Sequence, residues 1–415
     1  MKIKELKNKN ILILGIGREG LDTLYFLKKV FPKKIFTIAD KKQFNNLDSK
    51  TKRAIKGMNL LLGDNYLKRV NDFDVVIKSP GIPFSKYRNK TTSQTELFFD
   101  NCPGKIIGIT GTKGKSTVST LIHSIIKKSY LVGNIETPSL SFLLKAKKDD
   151  IFIYELSSHQ LKNLKKSPHI AVFLNIYPEH LDYYKDFDEY FSAKKNIFKY
   201  QTKDDYLVYN SKIKPKTKAH KIEINVKNFA NFLKNNQQFL EITHIDNLIA
   251  VLSVANILNI SEDKIIKAFS NYKRHPHRLE FVGEFKGIRF YDDSIATIPE
   301  AVIFALDSLG VDVETLIAGG YDRGINYSKL TKRISKSNIK SLILFPDSGE
   351  KIIKKLDKGI KVVMVEKMED AVEKAYKLTS KGKICLLSPS SPSFGIFRDY
   401  KERGDLFKKY INEKA

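Results

Sequence analysis

An α/β fold of three domains, each carried on a mostly parallel sheet, is what this 415-residue chain predicts, and three observations carry the prediction. Short apolar runs alternate with longer amphipathic stretches almost from end to end, the pattern of strand–helix units. Many of those runs stop at Gly, Ser or Asn before a helical pattern begins. Two clusters of turn-forming residues interrupt the alternation, at Asn101-Cys-Pro-Gly104 and Lys273-Arg-His-Pro-His-Arg278. They divide the chain into 1–100, 101–274 and 275–415. No repeat and no low-complexity linker stands out.

In the first segment, Ile11–Leu14, Ile35–Ala39 and Val75–Lys78 read as strands. The first runs into Gly15-Ile-Gly-Arg-Glu-Gly20, with Arg18 and Glu19 opening a helix. Asp40 closes the second strand about twenty residues on. This is the dinucleotide fingerprint with its ribose-binding acid, so the segment is Rossmann-like. By itself it points to NAD as readily as to another nucleotide. Ser79-Pro-Gly81-Ile82 after the third strand reads alone as a proline turn.

In the second segment the strands are Ile106–Thr110, Ile151–Leu156, Ala171–Asn175 and Tyr206–Tyr209. The first leads into Gly111-Thr112-Lys113-Gly114-Lys115-Ser116-Thr117 and an amphipathic helix. Glycines let backbone N–H groups curl around phosphate oxygens, and the helix N-terminus adds positive potential. Lys115 is placed for the β- and γ-phosphates and Ser116 for Mg²⁺. Ile109 stands where the strict phosphate loop has glycine, which makes this the shorter Thr-Gly-Thr-x-Gly-Lys-Ser variant. A phosphate loop beside the glycine fingerprint argues against a dehydrogenase. Glu155 ends the next strand, and Glu179, His180 and Asp182 crowd the loop after the one following. The carboxyl edge of an open α/β sheet is where ligands bind. Taken singly, Glu155 equally caps a helix, His180 equally bonds within a loop, and Lys194 is a solvated lysine beside Lys195.

In the third segment, Leu316–Ala318, Ser341–Phe345, Val362–Val365 and Ile384–Leu387 read as strands of a second Rossmann-like layer. The formal net charge is +27, which would suit a nucleic-acid binder. The lysines are scattered rather than gathered into one arm, and no basic–aromatic signature accompanies them, so no nucleic acid is expected. No stretch approaches the ~20 apolar residues that span a bilayer, so no membrane insertion is expected. The apolar run after Met1-Lys-Ile-Lys is too short for a signal-peptide core. Cys102 and Cys385 match no metal spacing and suit a reducing compartment. A cytoplasmic monomer is the expectation.

Together these motifs resemble the Mur ligase family, and within it the glutamate-adding branch. Thr110–Ser116 resembles the family's phosphate loop, Glu155–Gln160 its Glu-x-Ser-Ser-x-Gln, and Asn175–Asp182 its Asn-x-x-x-Glu-His-Leu-Asp. Tyr190–Lys194 is similar to Tyr-x-x-Ala-Lys, Pro276–Glu280 to Pro-His-Arg-x-Glu, and Asp293–Thr297 to Asp-Ser-x-Ala-Thr. Ser388–Gly395 and Lys401–Gly404 resemble the closing motif. The matches keep family order over nearly the whole chain.

The resemblance implies a UDP-binding Rossmann-like domain at 1–100, a central ATP domain at 101–274 and an amino-acid domain at 275–415. It implies UDP-N-acetylmuramoyl-L-alanine, ATP and glutamate as partners, with two Mg²⁺ ions. Gly15, Gly17, Arg18, Glu19, Asp40, Ser79, Gly81, Asn134, Ser157 and Gln160 would hold the UDP substrate. Gly111 through Thr117, Asn247, Arg278 and Asp293 would hold ATP. Ser116, Glu155, His180 and a carbamylated Lys194 would hold metal, and Lys115, His180 and Lys194 would serve catalysis. Thr297, Arg323, Ser393, Phe394 and Tyr400 would receive the amino acid. The chain departs from the pattern at Ile295, where lysine is common, at His244, in place of a longer adenine-side motif, and at Gly395, where aspartate is common. These departures leave D- and L-glutamate both open. Folylpolyglutamate synthases, other Mur ligases, a nucleic-acid ATPase and a UDP-sugar-binding pseudo-enzyme are the rival readings; the first usually lack the amino-terminal glycine fingerprint.

Overall fold

A computed structural model describes residues 1–82, 90–135, 137–180, 183–241, 243–272, 276–354, 356 and 359–415. Asp182 and residues 273–275 of the second expected break lie outside the described residues. Two compact units are formed, Met1–Asn271 and Tyr272–Ala415.

The first unit holds two parallel sheets. The first comprises β1 (Ile11–Leu14), β2 (Thr37–Asp40), β3 (Asn59–Leu62), β4 (Val75–Lys78) and β5 (Thr91–Thr92), in the order β3-β2-β1-β4-β5. Every residue of β1 and β4 is buried, as strands covered on both faces require. Strand order reverses between β1 and β4, so the glycine loop after β1 and the Ser79 turn after β4 face one crevice. The second sheet comprises β6 (Lys105–Thr110), β7 (Ser129–Gly133), β8 (Ile151–Glu155), β9 (Ile170–Phe173), β10 (Tyr206–Tyr209) and β11 (His220–Glu223), in the order β11-β10-β9-β6-β8-β7. Because β6 is flanked by β8 and β9, their carboxyl ends bring Glu155 and the loop after Phe173 to either side of the phosphate loop.

The second unit is built on β12 (Glu280–Phe285), β13 (Ile288–Asp292), β14 (Val313–Gly320), β15 (Ser341–Asp347), β16 (Lys361–Met364) and β17 (Ile384–Leu387), in the order β12-β13-β17-β14-β15-β16. The β12–β13 hairpin is antiparallel and the other pairings are parallel. Cys385 is fully buried in β17. No helix among the described residues is long and apolar enough to cross a membrane.

The structure differs from expectation in two ways. Strands β3, β5, β7, β11, β12 and β13 were not expected. β3, β11 and β12 lie at sheet edges, and β11 exposes His220, Lys221 and Glu223, so its apolar signal is weak. β14 is longer than the expected Leu316–Ala318 because Glu314 and Thr315 are buried too, with Glu314 paired to Lys340 at 2.8 Å.

The turn cluster at 101–104 marks a change of sheet and not a gap between compact units. The helix Gln94–Asn101 presents Phe98 to Phe152 and Tyr154 of β8, with ring centroids 5.1 and 5.5 Å apart. Asp22, on the helix Arg18–Val30 of the first layer, accepts from the Leu140 and Ser141 N–H groups at 3.1 and 3.2 Å and from Gln94 Nε2 at 2.9 Å. A half-buried carboxylate is tolerable because these donors satisfy it. One apolar core runs from Leu6 through Ile106 and Phe152 to Ala219.

Phe98→Ala empties a fully buried ring site in that shared core. It is expected to cost about 3–5 kcal/mol in urea unfolding of the full chain. A loss below about 1 kcal/mol would mean the two layers do not depend on one another.

Candidate active site

The phosphate loop is shaped from below by one side chain. Asn175, just past β9, donates through Nδ2 to the Lys113 carbonyl at 3.0 Å and accepts from the Lys113 N–H at 2.8 Å. Its own carbonyl accepts from the Thr112 N–H at 3.0 Å. Thr112 Oγ1 lies 3.1 Å from the Tyr190 hydroxyl and accepts from the Tyr177 N–H at 2.9 Å. Gly114 has φ 85°, and a Cβ there would lie 2.3 Å from Asn247 Oδ1, so only glycine lets Asn247 pack against the loop. The helix Lys115–Ile125 follows, and Lys115 Nζ curls over the loop to the Gly111 and Thr112 carbonyls at 2.9 and 3.0 Å. Ser116 and Thr117 are the next two residues of its first turn.

Around this loop stand the expected carboxylate and cations. Glu155 is 2% exposed at the end of β8. Asn134 Nδ2 donates to its Oε1 at 2.9 Å, while Oε2 has no hydrogen-bond partner among the described residues. A buried carboxyl oxygen left so is costly unless a partner completes it. Lys194 is also 2% exposed. Its Nζ donates to the Gly111 carbonyl at 2.9 Å and lies 3.3 Å from Thr110 Oγ1, 5.1 Å above the Tyr190 ring. Burial, reinforced by Lys115, pulls this amine well below the usual lysine range, and Glu179 and Glu155 only partly oppose it. His180 takes a left-handed backbone, φ 58°, and its ring meets His159 edge-on with centroids 4.8 Å apart. Glu179, which the sequence placed in this loop without a role, lies 3.5 Å from Lys113 Nζ and 3.8 Å from His180 Nε2. Burial alone would raise its pKa, but Lys113, His180, Lys115 and Lys194 outweigh burial and hold the carboxyl at about 2.

The glycine loop of the first layer belongs to the same unit. Gly20 packs so tightly that a Cβ would lie 1.9 Å from the Gly15 carbonyl, whereas Gly17 faces open space. Those are the packing and ligand-approach roles of the fingerprint. Asp40 is engaged within the protein: Oδ2 accepts from the Ile16 N–H at 2.7 Å and Oδ1 from the Lys42 N–H at 2.8 Å, so it shapes the loop. Ser157 and Gln160 form a capping box on the helix Ser158–Leu161, and Gln160 Nε2 donates to Glu19 Oε1 at 2.7 Å. Burial raises Glu19 to about 7, against that hydrogen bond. Ser79 turns back to β1 through its N–H, 2.8 Å from the Leu14 carbonyl, with Gly81 next but one.

Arg278, Asp293 and the five amino-acid candidates lie in the second unit. Arg278 sits between two left-handed residues, His277 (φ 63°) and Leu279 (φ 47°), and its buried Nε has no partner among the described residues. Such strain concentrates at functional sites. His277 Nδ1 is 2.7 Å from Asp292 Oδ2. Asp293 accepts from the Leu279 N–H at 3.1 Å and the Ser388 hydroxyl at 2.8 Å, and burial raises it to about 7. Thr297, Arg323 and Tyr400 are half-buried, Ser393 is buried, and Phe394 is exposed with its ring 6.3 Å from Tyr321. Arg403, in a motif matched without a role, is fully buried and clasps two loops: Nη2 donates to the Ser294 carbonyl at 2.7 Å and Nη1 to the Ser391 carbonyl at 3.1 Å.

The family model for the Mur ligase middle domain matches residues 109–286, and that for the Mur ligase glutamate ligase domain matches 277–391. The UDP-N-acetylmuramoylalanine–D-glutamate ligase of Acetivibrio thermocellus is 34% identical over 99% of this chain and 97% of its own length. Its namesake from Clostridium botulinum is 35% identical over 98% and 97%. The solved MurF ligase of Thermotoga maritima, in complex with ADP, shares the fold at TM-score 0.61 and 16% identity, over 92% of this chain and 96% of that one.

Glu19 makes stability fall with rising pH. Between its ordinary 4.5 and about 7, the unfolded chain gives up this proton while the folded one keeps it, so the folded state loses ground through that window. Glu19→Gln removes the effect. The variant's urea midpoint should therefore improve relative to the parent's as pH rises from 4.5 to 7; a constant difference across the window would refute it.

Proposed function

The chain belongs to the Mur ligase family, and on that premise we propose that it joins D-glutamate to UDP-N-acetylmuramoyl-L-alanine, with ATP cleaved to ADP and phosphate in the synthesis of peptidoglycan precursors. The observation that supports this best is the meeting at one sheet edge of the phosphate loop, the part-unpartnered Glu155 carboxylate and the buried Lys194 amine. The end-to-end likeness to ligases named for D-glutamate supports the isomer. The first sheet is read as the UDP layer, the second as the ATP layer and the third as the amino-acid layer.

In this reading Lys115 and the loop amides align the γ-phosphate with the alanyl carboxylate. A carboxylate oxygen takes the phosphoryl group, ADP leaves, and an acyl phosphate results. The glutamate amine attacks the acyl carbon, and the tetrahedral adduct collapses with loss of phosphate. Mg²⁺, when bound, supplies neutralisation of the charge that develops on the phosphoryl oxygens. Ser116, Glu155 and His180 fit that role: two offer the hard oxygen donors Mg²⁺ prefers, and one Glu155 oxygen awaits a partner. Lys194 fits as a carbamate. Burial pulls its pKa well below the usual lysine range, which favours the neutral amine that can add to carbon dioxide with loss of a proton, and the resulting anion would face Lys115 and Lys113. Arg323, Thr297, Ser393, Phe394 and Tyr400 are read as the glutamate side of the reaction, Arg323 gripping a carboxylate through its planar fork.

Phosphate release with ATP, Mg²⁺ and UDP-N-acetylmuramoyl-L-alanine should require D-glutamate and yield a product heavier by one glutamyl residue; release with L-glutamate alone would move the assignment to the other isomer. Lys194→Ala should abolish turnover, and added acetate or formate should restore part of it. A fully active alanine variant would exclude the carbamate.

A further inference from the structure

Lys78 stands at the end of β4 and has no part in the reaction above. Yet it is 6% exposed, and an ammonium is not buried without compensation. Its compensation is specific. Nζ donates to the carbonyls of Ser79 at 3.0 Å, Pro80 at 3.3 Å and Ile82 at 2.8 Å, which uses all three protons of the ammonium. Three carbonyl dipoles converging within one short turn repel each other, so the turn needs a cation at its centre. The Pro80 carbonyl has a second tie, the Tyr183 hydroxyl at 3.4 Å. The turn so held lies against the glycine loop, with Ser79 Oγ 3.5 Å from the Gly15 carbonyl. Burial lowers the Lys78 ammonium to about 8, with Lys162 adding to that and Glu19 and Glu96 opposing it, so the carbonyl cage and not a charge partner is what holds it.

Resting on the reading of this crevice as the sugar-nucleotide site, we infer that Lys78, assisted by the Tyr183 hydroxyl, is a positioning residue that fixes the Ser79–Ile82 turn as one wall of that site. Lys78 touches no substrate in this account. It acts through the turn, and its removal lets the wall relax while leaving the phosphate loop, Glu155 and Lys194 as they are. Methionine keeps the length and the apolar stem of lysine but offers the carbonyls nothing.

The test is Lys78→Met in the full chain, with UDP as the binding probe and turnover measured beside it. UDP affinity is expected to fall by about tenfold or more, and the KM for the UDP substrate to rise in parallel. The KM for ATP and the kcat at saturation should stay within about twofold, a split that general loss of folding would not produce. UDP affinity within about twofold of the parent overturns the inference. Should Lys78→Met fail to fold, Tyr183→Phe takes its place, removing only the second tie to Pro80. A several-fold weaker UDP affinity with ATP unaffected is then expected, and unchanged affinity overturns the inference. A parent protein that binds no UDP would overturn the reading of the crevice and this inference with it, whereas a parent that binds UDP as tightly as its Lys78→Met variant does overturns the inference alone.

Discussion

The site depends on a lysine amine that the fold denies to water. Lys194 enters the sheet edge from the helix Phe187–Lys199 and finds one good acceptor, the Gly111 carbonyl. Its surroundings already include Lys113 and Lys115. A charged ammonium there would face the cost of burial and repulsion at once, so its pKa is pulled well below the usual lysine range. The same crowding that disfavours a cation favours an anion. Glu179 points the same way: Lys113 and His180, before the other lysines, hold its carboxyl at about 2 although burial works the other way. The local field is thus arranged for negative charge, and the groups a ligase must handle are phosphates, carboxylates and an oxyanion.

That arrangement follows from strand order. A parallel sheet delivers all its carboxyl ends to one edge, and β6 lies between β8 and β9. Residues more than sixty positions apart therefore meet, as the bonds from Asn175 to Lys113 show. The sequence made the local parts legible: the strand–loop–helix at 105–125, the acid closing β8, the histidine-bearing loop after β9. It could not show Asn175 as the brace of the loop. An asparagine after a strand reads as a turn, and its role appears only when β9 is set beside β6. Arg403 escaped a role for a similar reason. Arginine is usually solvated, and nothing local in Lys401-Glu-Arg-Gly404 says that this one is wholly buried against Ser294 and Ser391.

The departures from the family pattern acquire partial physical accounts. Gly395 has φ 87° in open space, so the backbone there takes a conformation that an aspartate would adopt only with strain. His244 caps the helix Ile245–Ile257, its Nδ1 accepting from the Asp246 N–H at 3.2 Å. That role explains how a histidine is kept at a helix start while Asn247 packs against Gly114 of the phosphate loop. Nothing in the structure explains Ile295.

The expected division at 101–104 falls inside one compact unit, in a way that bears on the chemistry. Glycine, proline and a short polar run do mark where the chain leaves one sheet for the next, but turn residues carry no information about whether the two cores remain apart. Here Phe98 against Phe152, Asp22 at two backbone amides and Gln160 at Glu19 join them. The last of these is the most telling. Gln160 belongs to the short helix that follows Glu155, and Glu19 to the helix that follows the glycine loop. One hydrogen bond therefore links the helix that follows Glu155, read as the metal's carboxylate, to the helix that follows the loop read as holding the sugar nucleotide. Phosphoryl transfer tolerates little misplacement of the attacking oxygen, and an angstrom of error can cost about a hundredfold in rate. A shared core between the two layers fixes that geometry before any substrate arrives, which two independently hinged layers could not do.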